Sequence, residues 1–597
     1  MISPEDNYLS RSKTFEQEET RFHKTSKLLS WFRLATFLGI LLSIYFTLTA
    51  PSPLTGLTVI LALIIVLGFL IYYNTNCNKK LNYYRRLISL CNNELRTLKH
   101  DFLDFYDGAE FTDPDHEYAS DLDIFGKGSA FQYLNRTVTY PGRKQLVSWL
   151  TEPMVDAGKI KERQEACREL SGMADWRLQF SAKGLEGAIS NSAYNLLRWL
   201  KTPNLFSSHT LLIKVLQVWQ IVMLVLMALV IAAGWNFNFL LVPGLLNLSF
   251  TWLLLKRINQ VAALFGNTHS ILGSYSELIA SIGQPTFTSE WLESRRSQLA
   301  AGGENASGEI ALLGRLIQRF DARNNLLVGF TRNALFLTDY FLVIKMEIWK
   351  NRNAGKIAKW FEALGEIDAM NSFAAYAYNN PAYTYPIPDV GNFTITSRNL
   401  GHPLIPPEQR KSNDFILVNW HTIIVLTGAN MAGKSTFLRT VGLNHILAHT
   451  GAPVCAEEYK FCPTRLITSI RTNDSLIKHE SYFYAELKKL KRIIDALENG
   501  EEVFILLDEV LKGTNSNDKL NGSIILLRKL LILKTSGIIA THDIELGELE
   551  REFPSNIQNM CFEAEIRDGE LLFDYKLRQG SAKNMTALFL MKQMGIV

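Results

Sequence analysis

Two long stretches without a charged residue dominate the pattern of hydrophobic and polar positions along the chain. The first covers residues 34–78 and is interrupted near its middle by Pro-Ser-Pro at residues 51–53. The second covers residues 215–255 and is divided by a more polar sequence at residues 234–238. Each half is close to the roughly 20 apolar residues that cross a hydrocarbon layer as a helix. The pattern therefore predicts four transmembrane helices in two hairpins.

Basic residues predict how these hairpins are oriented. They lie on the outer flanks of both stretches, and none lies in the turns inside them: Lys24, Lys27, Arg33, Lys79, Lys80, Arg85, Arg86, Arg198, Lys201, Lys214, Lys256 and Arg257. By the positive-inside tendency, both termini and the segment between the hairpins lie in the cytoplasm. We therefore expect a multi-pass protein of the inner or plasma membrane.

The apolar stretches have two other possible interpretations. A helix pair buried in a large soluble core would also be apolar, although core helices seldom run this long without a charge. A cleavable signal peptide would begin close to the N-terminus, yet about thirty residues, many of them polar or charged, precede the first stretch. Membrane hairpins are the preferred interpretation.

The sequence TGANMAGKST, residues 427–436, follows an apolar run ending near Val425 and precedes a segment with helical spacing. It fits G-x-x-x-x-G-K-[ST], in which backbone N–H groups and the helix N-terminus hold phosphate oxygens. Lys434 would reach the outer phosphates and the Ser435 hydroxyl would bind magnesium. We predict ATP and Mg²⁺ here, with the nucleotide bound by Gly428, Ala429, Asn430, Met431, Ala432, Gly433, Lys434, Ser435 and Thr436.

Two later strands end in residues suited to hydrolysis. Residues 503–507 are apolar and are followed by Asp508, predicted to hold magnesium, and Glu509, predicted to polarise the attacking water. Two solvated acids at a strand end are the alternative. A third strand, in SGIIATHD, ends with His542, which either senses the γ-phosphate or is structural. We assign catalysis to Glu509, His542 and Lys434.

Strand, loop, helix and strand again predict an α/β domain with a mostly parallel, doubly wound sheet and its ligand at the carboxyl ends of the strands. A subunit of an ABC exporter would combine such a domain with membrane helices. It would also have an LSGGQ-like sequence shortly before the second acidic strand, and residues 487–502, LKKLKRIIDALENGEE, contain nothing of that kind. An exporter subunit is therefore disfavoured.

Composition and charge limit the number of domains and the classes of ligand, but they indicate no further function. With 597 residues, 47% hydrophobic and 20% charged, the chain is long enough for several domains and suits a soluble protein with a modest membrane portion. A net charge of +4 is too small to indicate nucleic acid, and the basic cluster at residues 488–492 is typical of a solvated helix face. The six cysteines include no CxxC pair, so we expect reduced packing residues.

Several motifs together resemble the MutS family of DNA mismatch-repair proteins. TGANMAGKSTFLRTVGLNHILAHTGAPVCAEE resembles that family's ATPase, with Asn430 and Met431 as the most telling pair. LLDEVLKGTNSND and ATHDIELGELE resemble its acidic strand and its histidine switch, and GSAKNMTALFLMKQMGI resembles its dimerisation tail. Residues 122–170 and EALGEIDAMNSFAAYAYNNPAY resemble the family's helical core and the helix returning to the ATPase.

The resemblance implies a homodimer that closes around two ATP molecules. NDSLIKHESYFYAEL resembles the segment through which the family contributes a serine across the dimer interface, and Ser481 stands at the matching position. Each site would then be completed by a second chain.

The chain also departs from the family. The first hairpin stands where the mismatch-reading domain would be, and the second hairpin and AAGGENASGE replace the clamp that crosses DNA. No C-terminal nuclease domain is found. Ala432 replaces a glycine, Leu511 and Lys512 replace Gly-Arg, and the aromatic residue expected to stack on adenine is not evident in PEQRKSND.

We accordingly predict six parts and two possible functions. The parts are a cytosolic tail at 1–30, hairpin 1 at 31–76, the helical core at 77–208 and 257–385, hairpin 2 at 209–256, and the ATPase domain with dimerisation helices at 386–597. The preferred function is a membrane-anchored ATPase coupled to DNA binding. The alternative is an ATPase that organises membrane or remodels a protein partner, with no DNA step.

Overall fold

The computed structural model describes residues 3–49, 53–187, 192–236, 238–265, 268–300, 305–391, 393–429, 431–471, 482–511, 516–567 and 570–582. The α-helices in these ranges are α1 (Pro4–Thr49), α2 (Pro53–Leu98), α3 (Ala130–Leu134), α4 (Tyr140–Thr151), α5 (Ala157–Gly172), α6 (Ala174–Gly184), α7 (Ser192–Leu200), α8 (Thr210–Ala232), α9 (Asn238–Phe265), α10 (Thr268–Gly283), α11 (Glu290–Ala300), α12 (Ala306–Asp321), α13 (Leu326–Phe336), α14 (Thr338–Asn353), α15 (Ile357–Asn379), α16 (Lys434–Thr450), α17 (Tyr482–Glu498), α18 (Ser516–Ile532) and α19 (Leu549–Glu552). The strands are β1 (Ile387–Pro388), β2 (Thr394–Leu400), β3 (Asn413–Val418), β4 (Ile423–Gly428), β5 (Glu458–Phe461), β6 (Arg465–Ser469), β7 (Val503–Asp508), β8 (Ser536–Thr541), β9 (Ile557–Arg567) and β10 (Glu570–Gln579).

The first hairpin consists of α1 and α2, which are far longer than the apolar stretch within them. Each helix has 46 residues. Of the residues in its most apolar segment, 6% are buried in α1 and 0% in α2. The segment predicted as an N-terminal tail is helical from Pro4 onwards. The first turns of α1 contact the helical core, where the buried Tyr8 hydroxyl donates a hydrogen bond to Oδ1 of Asn379 at 3.0 Å. This contact ties the hairpin to the rest of the chain.

The second hairpin consists of α8 and α9, with 23 and 28 residues. Of the residues in their most apolar segments, 11% are buried in α8 and 17% in α9. Together with α1 and α2, these are the four helices in the described ranges that are long and apolar enough to cross a membrane. The helix positions therefore agree with the two-hairpin pattern of the sequence, although α2 and α9 continue beyond the apolar residues.

The helical core surrounds α15, the most deeply buried helix of this part of the molecule. Asp368 in α15 accepts hydrogen bonds from the backbone N–H of Thr139 at 2.8 Å and from its hydroxyl at 2.6 Å. Thr139 is also the N-cap of α4, because its side chain accepts from the Gly142 N–H. A Cβ at Gly142 would lie 2.1 Å from the Asp368 carboxylate. The close approach of α4 and α15 therefore requires glycine at this position.

Two sheets form the C-terminal part of the chain. The smaller has the order β1-β5-β2-β3, and the larger has the order β10-β9-β4-β8-β7-β6. In the larger sheet the five strands from β9 to β6 are parallel, and β10 pairs antiparallel with β9. Strands β4, β7 and β8 are buried along their whole length, as expected for a sheet covered on both faces.

Alternate residues of β4 point to opposite faces of the larger sheet. Ile424 and Leu426 belong to the core cluster that includes α16 and the helical core. Ile423 and Val425 belong to a second cluster, which is formed with α17 and α18. Helices therefore cover both faces, as in the doubly wound arrangement that the sequence predicted. The arrangement also puts the ends of β4, β8 and β7 side by side.

Candidate functional site

The glycine loop, residues 428–433, connects β4 to α16 and depends on two glycines. Gly428 has φ 155°, and a Cβ there would lie 2.7 Å from the Phe562 carbonyl oxygen. Gly433 has φ 101°, in the left-handed region that side chains disfavour, and a Cβ there would lie 3.0 Å from the Tyr575 ring. Met431 also has a positive φ, of 68°, whereas Asn430 lies outside the described residues. The backbone is therefore bent tightly around an open space at the start of α16.

Lys434 is the first residue of α16, and its side chain folds back over the glycine loop. Its Nζ donates hydrogen bonds to the carbonyl oxygens of Gly428 at 2.6 Å and Ala429 at 2.9 Å. The residue is only 5% exposed. A buried ammonium group held at a helix N-terminus creates a region of positive potential, which favours an anion.

Asp508 is the last residue of β7, and Glu509 follows it. Oδ2 of Asp508 accepts a hydrogen bond from the Ser435 hydroxyl at 2.5 Å, so the two predicted magnesium ligands are in contact. Glu509 has φ 48°, and its N–H donates to the Ala540 carbonyl in β8 at 2.8 Å. This left-handed turn directs the Glu509 side chain into the cavity beside the glycine loop.

His542 comes directly after β8 and faces Glu509. Its Nδ1 lies 3.6 Å from Oε1 of Glu509, which is beyond hydrogen-bond distance. Its Nε2 lies 3.1 Å from Nζ of Lys519, which also pairs with Asp543 at 3.3 Å. Nε2 also lies 3.6 Å from Oδ1 of Asp543. The imidazole therefore lies between the Glu509 carboxylate on one side and the Lys519 and Asp543 side chains on the other.

A cavity of about 570 Å³ extends from the glycine loop to the smaller sheet. One side is formed by residues predicted from the sequence, including Ala429, Met431, Gly433, Lys434, Ser435, Thr436 and Glu509. The other side is formed by residues that the sequence analysis did not single out, including Leu400, Ile405, Pro406, Asn413, Phe562 and Tyr575. Its volume lies within the range of sites for small molecules and cofactors.

Tyr575 is an aromatic residue at this cavity that sequence reasoning missed. The family resemblance predicts an aromatic side chain in the segment before Asn413, whereas Tyr575 lies in β10, more than 160 residues later. Its carbonyl oxygen accepts a hydrogen bond from Nδ2 of Asn413 at 3.0 Å, which joins the two segments. The aromatic cluster of LLFDYK was the available signal, but only the sheet topology brings it to the glycine loop.

Glu486 is a second residue that the sequence analysis missed. It is 2% exposed and lies in α17, and its Oε1 accepts a hydrogen bond from the Leu511 N–H at 2.6 Å. Leu511 is in the turn after Glu509 and has φ 61°. Glu486 thus connects α17 to the turn that positions Glu509, the predicted catalytic base. Ser481, residues 512–515 and all but the first three residues of the predicted dimerisation tail at 580–596 lie outside the described residues.

Comparison with known proteins agrees with the motifs. Residues 424–596 match the family model of MutS domain V, and residues 117–222 match that of MutS domain III. The chain is 24% identical to the DNA mismatch repair protein MutS of Clostridium novyi, over 87% of this chain and 61% of that protein. It is 35% identical to the MutS of Leptospira interrogans over 33% of this chain, and 28% identical to that of Thermotoga petrophila over 42%.

These relatives are longer than the matched regions. The alignments span 24% of the Leptospira protein and 32% of the Thermotoga protein. The two family matches leave out residues 1–116, which contain the first hairpin, and residues 223–423, which contain all of α9. The resemblance stated from the motifs is confirmed, and hairpin 1 and α9 lie outside the two family-model matches.

Proposed function

Because the chain belongs to the MutS family, we propose that it is a membrane-anchored ATPase that binds and hydrolyses ATP in the cavity at the glycine loop, as part of a homodimer. One observation supports this most strongly. The glycine loop, Lys434, the Ser435–Asp508 pair and Glu509 converge at the ends of three adjacent strands. Such convergence at the carboxyl ends of parallel strands is typical of nucleotide sites.

The residues of the cavity fit ATP and magnesium. The bent backbone at Gly428 and Gly433 leaves room for phosphate oxygens, and Lys434 can exchange its two loop carbonyls for them. A bound Mg²⁺ would offset phosphate charge, and the Ser435 hydroxyl and the Asp508 carboxylate are oxygen donors of the kind it prefers. Tyr575 offers a ring against which a base can stack.

Glu509 is the residue best placed to act on water. Its carboxylate lines the cavity, and its backbone is held against β8 through Ala540. It can accept a proton from a water molecule that attacks the outer phosphate. His542, whose Nδ1 lies 3.6 Å from Oε1 of Glu509, can orient that carboxylate or respond to charge at the phosphate. The roles of both residues are part of the proposal.

The proposed dimer rests on the family relationship. Ser481 stands at the position from which relatives contribute a serine to the partner's site. It comes directly before α17, the helix that Glu486 connects to the turn after Glu509. A shift of α17 on dimerisation would therefore move the turn that positions Glu509, the proposed catalytic base. Through this contact, the proposed dimer interface would influence the position of Glu509 and so the rate of hydrolysis.

The proposed membrane anchor rests on the two hairpins. Their apolar segments are almost wholly uncovered in the described chain, and exposing that much apolar surface to water is unfavourable. The basic flanks favour a cytoplasmic location for the α/β domain and the helical core. Membrane-spanning helices would account for the hairpins' length and exposure together.

The proposed partner is DNA near the membrane, and its test is a binding assay on the purified full-length chain. Duplex, mismatched and branched DNA would be compared at two salt concentrations, with and without ATP. Binding that weakens steeply with salt would support phosphate contacts. ATP turnover without salt-sensitive binding to any of the three would favour the alternative, an ATPase acting on membrane or protein. Absence of turnover in any condition would contradict the ATPase itself.

A further inference from the structure

Helix α13 presents an uncovered apolar surface that lies outside both hairpins. Leu326 is 87% exposed, Leu327 is 79% exposed and Phe330 is 62% exposed. The helix has 11 residues and is too short to cross a membrane on its own. At Leu337, which has φ 46°, the chain bends by 82° into α14. The exposed surface therefore ends sharply at this bend.

Helix α14 does not share this exposure. Tyr340, Met346 and Trp349 are each at most 3% exposed and pack in the helical core. The buried Glu347 accepts hydrogen bonds from the backbone N–H groups of Leu205 and Ser207, just before α8. Helices α13 and α14 are therefore not the two halves of one bent transmembrane span. Ile348 is the large apolar side chain of α14 that is exposed, by 52%, whereas α13 exposes several in one turn.

The other side of α13 packs against the second hairpin. Asn247 in α9 is 2% exposed, accepts a hydrogen bond from Nε1 of Trp219 in α8 at 2.7 Å, and donates one to the Ala334 carbonyl of α13 at 2.8 Å. Asn247 is at the middle of the apolar residues 239–255 of α9. The C-terminal turn of α13 is therefore attached to the centre of a proposed transmembrane helix.

A groove of about 560 Å³ continues the apolar surface between α13 and the hairpin. Apart from Thr331, its lining side chains are apolar: Met227, Val230, Ile231, Leu240, Leu241, Leu245, Leu248, Phe330, Ala334 and Leu335. Val242 and Leu246 on the outer face of α9 are also exposed, by 61% and 57%. The exposed faces of α9 and α13 thus form one continuous apolar surface.

Basic residues lie where this surface meets the helical core. A guanidinium nitrogen of Arg323, just before α13, donates to Oδ1 of Asn259, three residues beyond Lys256 of α9. Arg332 in α13 donates to the Arg319 carbonyl at 3.3 Å, so its charge is directed towards the end of α12. Arg323 also lies 3.6 Å from Oδ2 of Asp339, so the basic groups nearest the exposed leucines are held by contacts within the protein.

We propose that α13 is a third membrane-embedded element, which inserts beside hairpin 2 with Leu326, Leu327 and Phe330 against lipid acyl chains and does not cross the bilayer. This rests on the membrane anchor proposed above. Helix α14 follows α13 directly and α15 then leads to the sheets, so consecutive helices connect the inserted element to the domain that holds the nucleotide site.

Photo-crosslinking in vesicles tests this placement. Benzoylphenylalanine is introduced singly at Leu327, Phe330 or Val242 in the full-length chain, which is purified and reconstituted in phosphatidylcholine and phosphatidylglycerol. Ile532 in α18 is 77% exposed and is the matched control on the α/β domain. We expect lipid adducts at Leu327 and Phe330 in amounts similar to those at Val242, and only background at Ile532. Leu326 replaces either α13 position if that variant fails to fold.

The controls separate the two proposals. Adducts at Val242 but not at Leu327 and Phe330 would overturn the insertion of α13 and leave the hairpin anchor intact. Adducts of a second copy of the chain at the α13 positions, in place of lipid, would overturn it as well. Background labelling at Val242 together with the α13 positions would contradict the membrane anchor and, with it, this inference.

Discussion

The Ser435 hydroxyl donates a hydrogen bond of 2.5 Å to Oδ2 of Asp508, across 73 positions of sequence. The contact joins the first turn of α16 to the end of β7. The two residues meet because only β8 separates β4 from β7 in the larger sheet. Two oxygen donors are thereby held together at the opening of the glycine loop, where the proposed Mg²⁺ would bind.

Asp508→Asn is expected to remove the effect of magnesium on ATP binding. In the wild-type chain, ATP with Mg²⁺ should raise the melting temperature more than ATP with EDTA, because a ligand stabilises the folded state it binds. The neutral amide is a weaker magnesium ligand than a carboxylate, so the difference should disappear in the variant. Thermal unfolding with and without Mg²⁺ measures it.

The matched control is Asp495→Asn, which removes an equal charge from an exposed pair with Lys491 in α17. This variant should keep the full magnesium effect. An unchanged magnesium effect in Asp508→Asn would argue that Asp508 does not bind the metal.

His449 in α16 is expected to make the fold sensitive to acid. It is fully buried, accepts a hydrogen bond from the Thr464 N–H at 3.2 Å, and lies 2.7 Å from the His445 carbonyl. Burial lowers its pKa from 6.5 to about 4. Because the folded-state pKa is below the unfolded value, the neutral ring stabilises the fold above pH 6.5. This contribution is lost as the pH falls from 6.5 towards 4.

His449→Gln is the variant that isolates this effect. Its amide oxygen can still accept from Thr464 but takes up no proton in this range, so its melting temperature should fall less steeply between pH 7 and pH 4.5. Each pKa unit corresponds to about 1.4 kcal/mol. The pH-dependent change in the free energy of unfolding should therefore differ between the two proteins by a few kcal/mol at most. Parallel pH profiles for the two proteins would refute the assignment.

Membrane topology is tested with single cysteines and a reagent that does not cross the membrane. Probes at Ser52 and Asn236, in the turns of the two hairpins, should react in intact cells. Probes at Lys127 and Asn305 should react only after permeabilisation, because the basic flanks place those segments in the cytoplasm. Labelling of Lys127 in intact cells would exclude the four-span topology.

The composite site is tested by mixing two inactive chains. Ser481→Ala lacks the proposed trans serine and Lys434→Ala lacks the phosphate-binding ammonium group. A heterodimer has one site with both groups intact and one site with both defects, so turnover should reappear. Pull-down of differently tagged chains confirms that heterodimers form. Mixed dimers as inactive as their parents would contradict the trans role of Ser481 or require both sites to act together.

The sequence predicted the parts of the fold that depend on local patterns. Apolar runs at β4, β7 and β8 indicated buried parallel strands, and the spacing from Gly428 to Ser435 indicated the loop between β4 and α16. The structure brings these residues together in the expected order. Such features can be predicted from sequence because each depends on a few consecutive residues.

Other features depend on contacts between distant segments. Tyr575 reaches the cavity only because β10 pairs with β9, and Glu486 contributes only because α17 packs beside the turn after Glu509. Helix α13 was missed because its 11 residues include Arg332 and Asn333 and are too few for a span. No local pattern indicated that the polar N-terminal half of α1 would be helical and would contact the helical core.

ATP turnover by Glu509→Gln tests the central claim most directly. If Glu509 activates the attacking water, the purified variant should bind ATP as the wild type does and hydrolyse it roughly 10²–10⁴-fold more slowly. Lys434→Ala, measured in parallel, should instead lose ATP binding. Wild-type turnover in Glu509→Gln, or a loss of ATP binding equal to that of Lys434→Ala, would contradict the proposed site.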